Sequence, residues 1–303
     1  MGLTFVTEPV SVSTPATSAN LGPGFDALGL ALTLHDDLTA TVTGDSFRVS
    51  VRGEGAGELS ENEDHLVVRA MLAAFDALGE RPPGVVVECH NRIPQARGLG
   101  SSSAAIVGGI QLARGLVAGG LGRLDDDDAL RLAARLEGHP DNVAPCLLGG
   151  FTIAWAEGPG ARAVRLRVAD GVRPTVFVPT ELGYTASARA ALPSNVPHAD
   201  AAFNAGRAAL LTHALTEDPG LLFAATEDRL HQGYRAEAMP GTASLVAGLR
   251  SVGVAAVVSG AGPSVLALSE VPADFHPGTE WRAETLGVDA TGALVKGSMV
   301  ELA

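Results

Sequence analysis

The sequence predicts an α+β fold in two halves. Segments rich in β-branched residues, which are typical of strands, are interspersed with longer segments that carry apolar residues at helical spacing. The chain has 303 residues, of which 46% are hydrophobic, so it can bury a large core. The strand and helix pattern breaks at residues 157–160. We therefore expect two domains, formed by residues 1–160 and residues 161–303.

The first half should contain three main helices and five strands. One helix is expected at residues 64–78, with Asp64 as its N-cap. A second should follow a glycine-rich turn, at residues 104–116. A third is expected at residues 129–136, where four preceding aspartates would place negative charge at the positive end of the helix dipole. The strands are expected at residues 10–14, 38–43, 47–52, 85–89 and 151–155.

The second half shows the same alternation of short strands and helices. No internal repeat and no long linker interrupts it. Strands are expected at residues 164–168, 175–178, 254–259 and 265–268. Helices are expected at residues 188–191, 199–215, 221–230 and 243–249.

The acidic composition argues against a nucleic-acid-binding surface. Binding to a nucleic-acid backbone needs a basic stripe, whereas the formal net charge here is -13, so a small ligand is favoured. Cys89 and Cys146 lie in apolar surroundings and are expected to be buried free thiols in a reducing compartment. The sequence has neither a signal-peptide pattern nor an apolar run of about 18 residues. We therefore expect a cytoplasmic protein with no membrane partner.

The most informative local pattern is a turn rich in glycine and serine, at residues 94–105, that runs into a helix. Such a turn presents backbone NH groups and the positive end of a helix dipole to one point, which suits a polyphosphate. The single lysine, Lys296, is far from this turn, which excludes a Walker A loop and a protein-kinase fold. A nucleotide would be bound by NH groups, a divalent ion and Arg97. The alternative is a simple helix start with a serine cap.

Three further clusters of glycine and polar residues flank this turn in sequence. They occupy residues 15–26, 137–142 and 259–264, each where a predicted strand or helix ends. Each cluster alone is typical of a tight turn. Their joint occurrence in this order is hard to explain by turns alone.

Together, these clusters and the turn at residues 94–105, called the phosphate turn below, resemble the signature motifs of the GHMP kinases, in order along nearly the whole chain. Residues 17–26 and 139–145 are similar in particular to the homoserine kinases of that family. The resemblance implies an N-terminal domain like domain 2 of ribosomal protein S5 and a C-terminal ferredoxin-like domain, with the active site between them. It also implies a homodimer that uses ATP to convert L-homoserine to O-phospho-L-homoserine for threonine synthesis.

The resemblance also implies roles for individual residues. Ser102 and Glu137 would supply oxygen ligands to Mg²⁺. Arg189 and Arg235 would bind the carboxylate of homoserine, because guanidinium geometry suits a carboxylate. The other residues expected to bind the substrate, including its ammonium group, are Asp26, Asn20, Asn142 and Thr185. The residues expected to cradle ATP are Pro94, Gln95, Ala96, Arg97, Gly98, Leu99, Gly100, Ser101, Ser102, Ser103 and Ala104.

Asn142 is expected to act in catalysis, although it occupies a place where several relatives have an aspartate that acts as a base. An amide cannot accept a proton at neutral pH. The expected mechanism therefore relies on alignment, Mg²⁺ and stabilisation of charge on the γ-phosphoryl group, and the proton is lost to phosphate or water. Asp141 is the alternative base, but as a neighbour of Asn142 it is expected to point elsewhere. His139 is expected to be a hydrogen-bonded turn residue.

The sequence does not decide which residues contact adenine. It also leaves three other classes of protein as alternatives. Relatives often have an asparagine where His65 stands, so Asn62, His65 and Leu66 are all candidates. A sugar or mevalonate kinase of the same family is one alternative. A dinucleotide-binding dehydrogenase is another, but the turn lacks its third glycine. A non-catalytic sensor of the same fold is the third, and it would not need to keep Ser102 and Glu137.

Overall fold

The computed structural model describes residues 2–158, 160–183 and 185–296, without the side chains of residues 185–187. Within these ranges the chain forms two sheets, one of seven strands and one of four, with helices packed on them. The strands are β1 (Val10–Ala19), β2 (Leu28–Val42), β3 (Phe47–Gly53), β4 (Val85–Asn91), β5 (Phe151–Glu157), β6 (Gly160–Leu166), β7 (Thr175–Pro179), β8 (Ala256–Val258), β9 (Val265–Ala267), β10 (Trp281–Thr285) and β11 (Leu294–Lys296).

The helices connect the strands and cover the sheets. None that lies within the described ranges is both long and apolar enough to cross a membrane. They are α1 (Leu66–Leu78), α2 (Ser101–Leu116), α3 (Gly120–Arg123), α4 (Asp126–Glu137), α5 (Val143–Leu148), α6 (Thr185–Ala190), α7 (His198–Thr216), α8 (Leu222–Ala225), α9 (Gln232–Arg235) and α10 (Pro240–Ser251).

The first sheet is built around the long strand β2. Its order is β11-β1-β2-β4-β3, and β5 pairs with the beginning of β2 and with β6. All pairs are antiparallel except β3 with β4. Helices α1 and α2 pack against each other, and α2 also packs on β1. The main core therefore lies between the first sheet and these helices.

The second sheet is smaller and entirely antiparallel, in the order β10-β7-β9-β8. Helix α10 packs on β8 and β9. Phe177, Leu245 and Leu249 are buried in a second core on this side. The mixture of helices and antiparallel strands confirms the predicted α+β class.

Strand β1 extends five residues beyond the predicted end at Thr14. Residues 15–19 look like a turn because they contain proline, serine and threonine. They nevertheless pair with β2, and the register shifts between Pro15 and Ala16. A proline is tolerated in a strand at such an irregularity. The first cluster therefore continues a buried strand and turns only after Ala19.

Several predicted helix boundaries differ from the structure, and two of the differences have a clear physical reason. Helix α1 is capped by His65 and not by Asp64, because the His65 Nδ1 accepts a hydrogen bond from the Val67 NH at 3.2 Å. The helix expected at residues 221–230 ends at Ala225, and Asp228 then accepts bonds from three following NH groups, which a helix would use differently. Five elements were not predicted: α3, α5, α9, β10 and β11.

The predicted domain boundary at residue 160 falls within the β5–β6 hairpin. Strand β6 pairs only in the first sheet, and β11 returns from the second sheet to pair with β1. We propose a division in which residues 167–174 lead to the second domain and the C-terminal strand belongs to the first. The two sheets flank a cleft, and this cleft contains the predicted site.

Candidate active site

The separate sequence clusters come together in the cleft. Ser18 of the first cluster and Ser259 of the third lie with their Oγ atoms 2.8 Å apart. The Ser259 hydroxyl donates to the carbonyl of Gly98, in the phosphate turn, at 2.6 Å. A Cβ atom on Gly98 would overlap the Ser259 carbonyl, so the close approach requires glycine there.

A cavity of about 470 Å³ lies where the clusters meet. Of the predicted site residues, Pro94 and Ser103 do not line it, and the Thr185 side chain lies outside the described part of the chain. The predicted residues that line the cavity are Asn20, Asp26, Gln95, Ala96, Arg97, Gly98, Leu99, Gly100, Ser101, Ser102, Ala104, Glu137, Asn142, Arg189 and Arg235.

The phosphate turn ends directly in helix α2. Gly100 is the N-cap of α2 in a left-handed conformation, with φ of 71°, and no side chain caps the helix. The helix therefore begins three residues earlier than predicted, and the serine-cap alternative is wrong. The first NH groups of a helix have no partner within it. Those of α2 are thus available to an anion beside the cavity.

Arg97 joins this turn to the second sheet. Its guanidinium donates at 2.9 Å to the carbonyls of Pro179 and Thr180, at the end of β7, and to that of Gln95. The NH of Gly183 also donates to the Ala96 carbonyl at 2.7 Å. Arg97 lines the cavity, but in this state its donors hold the turn in place.

Glu137 and two serines form a compact cluster of oxygen atoms. The Glu137 Oε1 accepts from Ser102 Oγ at 2.6 Å and from Ser103 Oγ at 3.1 Å. Glu137 is the last residue of α4, which ends at Gly138 with φ of 92°. Within the described ranges no group of three or more His, Cys, Asp or Glu residues could hold a metal ion. A metal held here would therefore take further oxygen ligands from phosphate or water.

Asn142 and Asp141 both face the cavity, which corrects the expectation that Asp141 points elsewhere. The Asn142 Oδ1 accepts from Thr17 Oγ1 at 2.8 Å. Asp141 is 2% exposed, and its Oδ1 lies 2.8 Å from Nδ1 of His139. This hydrogen bond raises the pKa of His139. His139 thus has the hydrogen bond expected of it and also lines the cavity.

The opposite side of the cavity carries a pair of opposite charges. Arg189 donates to the two carboxylate oxygens of Asp26 at 2.7 and 3.1 Å. This contact raises the pKa of Arg189. Asn20 donates to the Gly260 carbonyl at 2.8 Å and accepts from the Asp26 NH at 2.9 Å, so its amide fixes the loop that carries Asp26.

Arg235 is only 1% exposed, although it lines the same part of the cavity. Burial and the neighbouring Arg189 lower its pKa. Its Nε donates to the Ala188 carbonyl at 3.1 Å. Because α6 also carries Arg189, the two guanidinium groups are held at one wall of the cleft.

The lining of the cavity also includes the apolar residues Leu38, Leu59 and Leu66. His65 lies here, 5% exposed, and burial lowers its pKa. Its Nε2 is buried and, among the described residues, has no hydrogen-bond partner. The neutral imidazole therefore offers a donor, because Nδ1 already accepts from the helix.

Asp36 is a site residue that sequence analysis missed. It lines the cavity, and its Oδ1 accepts from the NH groups of Arg92 and Ile93 at 2.6 and 2.9 Å, just before the phosphate turn. Burial raises its pKa to about 6. Two successive aspartates in an otherwise apolar strand were the signal that could have identified it.

Comparisons with known proteins agree with this geometry. The family model described as GHMP kinases N terminal domain matches residues 65–150. A homoserine kinase of Streptomyces coelicolor is 54% identical over 97% of this chain and 96% of its own. One of Streptomyces avermitilis is 55% identical over 97% of this chain and 98% of its own.

Solved structures give the same answer. The crystal structure of homoserine kinase from Cytophaga hutchinsonii superposes with a TM-score of 0.83 at 26% identity, covering 98% of this chain and 100% of that one. A crystal structure of mevalonate kinase, at 14% identity and a TM-score of 0.64, shares the fold. On the identity and coverage of these relatives, the chain belongs to the homoserine kinases of the GHMP kinase family.

Proposed function

We propose that this protein transfers the γ-phosphoryl group of ATP to the side-chain hydroxyl of L-homoserine and so makes O-phospho-L-homoserine, a step of threonine biosynthesis. The observation that supports the proposal is that a helix N-terminus and a pair of opposite charges line the same cavity. The first feature suits a polyphosphate and the second suits a zwitterion. The named relatives support the same reaction.

The nucleotide is proposed to lie along the phosphate turn with its base against the apolar residues of the cavity lining. The NH groups at the start of α2 would receive the phosphates. His65 and Leu66, which line the cavity, stay the proposed contacts of the base. Arg97 would act mainly by holding the turn, since three carbonyls occupy its donors.

Ser102 and Glu137 fit a magnesium ion, because a hydroxyl and a carboxylate are hard oxygen ligands that already lie together. Ser102 is exposed and Glu137 is half-buried, so both can reach a bound phosphate. When bound, the ion would neutralise charge on the phosphate oxygens. The role of the chain itself is to keep these two side chains on one side of the phosphate turn.

The amino-acid substrate is proposed to replace the contact between Asp26 and Arg189 with contacts to its own charged groups. Asp26 would bind the ammonium group, and Arg189 with Arg235 would bind the carboxylate. In the free protein, Asp26 and Arg189 satisfy each other at 2.7 Å, so neither charge is left unpaired in the partly buried site. Asn20 contributes by positioning Asp26, and Thr185 stays a proposed contact from the family resemblance.

Transfer is proposed to proceed without a side-chain base. The substrate hydroxyl oxygen forms a bond to the γ-phosphorus, the bond to the bridging oxygen of ADP breaks, and the proton leaves to phosphate or water. Asn142 would align the hydroxyl, and Thr17 fixes its amide. Asp141 is already hydrogen-bonded to His139 and supports the wall of the site.

A coupled assay tests the proposed function directly. ADP release is measured with ATP and Mg²⁺ in the presence of L-homoserine, L-serine, mevalonate or galactose. Turnover with homoserine and little with the others is expected. Mevalonate and galactose lack the ammonium group that would match Asp26, and the side chain of serine is one methylene shorter, so its hydroxyl would not reach the same position. Preference for mevalonate or galactose would contradict the substrate assignment, and no transfer to any alcohol would indicate a sensor.

Two further properties are proposed from the family resemblance only. These are a homodimer and a cytoplasmic location. Light scattering of the purified protein tests the first, and a molecular mass in solution of about twice the chain mass of 30.8 kDa is expected.

A further inference from the structure

Behind the two arginines of the cleft lies a buried histidine, His231, whose side chain is 0% exposed. Its Nδ1 is 3.0 Å from NH1 of Arg235, and its Nε2 is 2.8 Å from the carbonyl oxygen of Gly22. A guanidinium can only donate, so Nδ1 is the acceptor and the ring proton is on Nε2. One neutral tautomer therefore connects Arg235 to the loop of the first cluster.

The backbone around His231 is fixed as well. Asp228 accepts hydrogen bonds from the NH groups of His231 and Gln232 at 3.1 and 2.7 Å. His231 is also the residue before α9, the short helix that ends at Arg235. Both ends of the His231–Arg235 contact are therefore held in place before any ligand binds.

Phe25 is stacked on His231 and faces both arginines. The two rings have centroids 5.2 Å apart and an interplanar angle of 27°. The guanidinium carbons of Arg189 and Arg235 lie 5.8 and 5.5 Å from the centroid of Phe25. An aromatic face attracts cations. Phe25 thus helps two like charges to stay close together in a partly buried place.

We infer that His231, supported by Phe25, is a positioning residue that sets the direction of the Arg235 guanidinium and thereby the affinity for the carboxylate of the substrate. The inference rests on the proposed function, in which Arg189 and Arg235 bind this carboxylate. Nε of Arg235 is held by Ala188 and NH1 by His231, so the plane of the guanidinium is fixed at two points. A preorganised arginine loses less entropy when it binds a carboxylate.

Two substitutions separate this role from general support of the fold. A glutamine at position 231 places its amide near the former Nε2 and keeps a donor for Gly22, but it has no acceptor for Arg235. An asparagine places its carbonyl near the former Nδ1 and keeps that acceptor. We expect His231→Gln to raise the KM for homoserine by about 10- to 100-fold, with kcat and the KM for ATP changed by less than about threefold. For His231→Asn, the rise in log KM for homoserine should be at most about half of the rise for His231→Gln.

The matched control is His213→Gln on the exposed side of α7, which should leave all three constants at the wild-type values. A second control uses homoserinol, in which a hydroxymethyl group replaces the carboxylate. For this substrate, kcat/KM of His231→Gln should equal that of the wild type. Arg235→Ala combined with His231→Gln should be no worse than Arg235→Ala alone, because both act on one contact.

The outcomes distinguish the inference from the proposed function. If Arg235→Ala leaves the KM for homoserine unchanged, the carboxylate assignment fails, and the inference fails with it. If Arg235→Ala raises this KM and His231→Gln does not, only the inference is overturned. Two outcomes would assign His231 a purely structural role. One is an equal rise in the KM for homoserine in both His231 variants. The other is a fall in kcat and a rise in KM when His231→Gln acts on homoserinol.

Discussion

At the scale of single residues, Asn142 and Asp141 are neighbours in the chain but have different partners. Asn142 is hydrogen-bonded to Thr17 of β1, and Asp141 is hydrogen-bonded to His139. Asn142→Ala should lower kcat by about 100-fold, because the hydroxyl of the substrate loses its alignment. Asp141→Asn keeps an oxygen for His139 and should lower kcat by less than about tenfold. Steady-state kinetics of the two variants check this, with circular dichroism as the control for folding.

A larger loss of kcat in Asp141→Asn than in Asn142→Ala would point to a base. If Asp141→Asn abolishes turnover while the KM for homoserine stays the same, a carboxylate base takes the proton. The proposed mechanism would then be wrong.

Glu137 is expected to be the side chain on which the magnesium requirement depends. Glu137→Gln keeps an oxygen that can accept from Ser102 but removes the negative charge. The concentration of Mg²⁺ for half-maximal activity should rise at least about tenfold, and excess Mg²⁺ should restore part of kcat. The exposed Glu88 on β4 offers the control Glu88→Gln, which should show neither effect. A magnesium dependence unchanged by Glu137→Gln would remove Glu137 from the metal site.

The residues of the site could be predicted where a local motif contains them. Ser102, Glu137 and Asn142 belong to such motifs, and the structure brings all three to one cavity. The Thr17–Asn142 bond could not be predicted, because it joins residues 125 positions apart in the chain. Asp26 and Arg189 were both assigned to the substrate pocket from the family resemblance, but their direct contact was not predicted, because it joins residues 163 positions apart.

At the scale of secondary structure, the N-terminus of α2 depends on Gly100. A Cβ atom there would overlap Thr17 Oγ1 and lie 3.3 Å from Asn142 Oδ1. Gly100→Ala should therefore displace the Thr17–Asn142 bond and lower kcat/KM by at least about 100-fold. Gly57→Ala is the matched control, because its φ of 79° is similar and nothing lies within 4 Å of its Cβ.

Comparing these two variants separates steric overlap from backbone strain. Both should lose roughly 1 kcal/mol of stability from the left-handed conformation. Only Gly100→Ala should lose activity. Similar kinetic losses in Gly57→Ala would mean that strain alone, transmitted from a distance, explains the effect.

The long periodic helices were predicted well, whereas several short elements were not, and β2 was predicted only over its last part. Helices α1, α2 and α4 carry enough apolar positions to define a buried face. Helix α5 has six residues and β11 has three, which is too short for a period to be read. The proline and serine residues of β1 resemble a turn, and only pairing with β2 makes them a strand.

At the scale of the whole molecule, Asp289 holds the segment that returns from the second sheet to the first. It accepts from Thr291 and Gly292 and lies 2.7 Å from Nε2 of His35. These hydrogen bonds lower the pKa of Asp289 to about 2. Because the folded pKa is lower than the unfolded one, the carboxylate stabilises the fold above pH of about 4, and this stabilisation disappears as the pH falls towards 2.

The expected effect can be measured by urea unfolding. Asp289→Asn should reduce the free energy of unfolding by roughly 2 kcal/mol between pH 5 and 8. The difference from the wild type should shrink below pH of about 4. The exposed Asp45 offers the control Asp45→Asn, which should have little effect at any pH. A difference for Asp289→Asn that does not depend on pH would show that lost packing, and not the charge, is responsible.

The division into two parts near residue 160 stays a prediction, and the return of β11 to the first sheet was not predicted. This return places β11 beside β1 in one sheet, where Ser11 pairs with Lys296. The phosphate turn is in turn bonded to the end of β7 through Arg97. Contacts of this kind join the two parts at the cleft.

Lys296 has a practical consequence. It is the only lysine, it is exposed on β11, and it does not line the cavity. Among the side chains, reagents directed at amines, such as biotin or fluorophore esters, would therefore attach at this one position, at the edge of the first sheet; a free α-amino group would react with the same esters. An enzyme tethered to a surface in this way should present its cleft freely to solution.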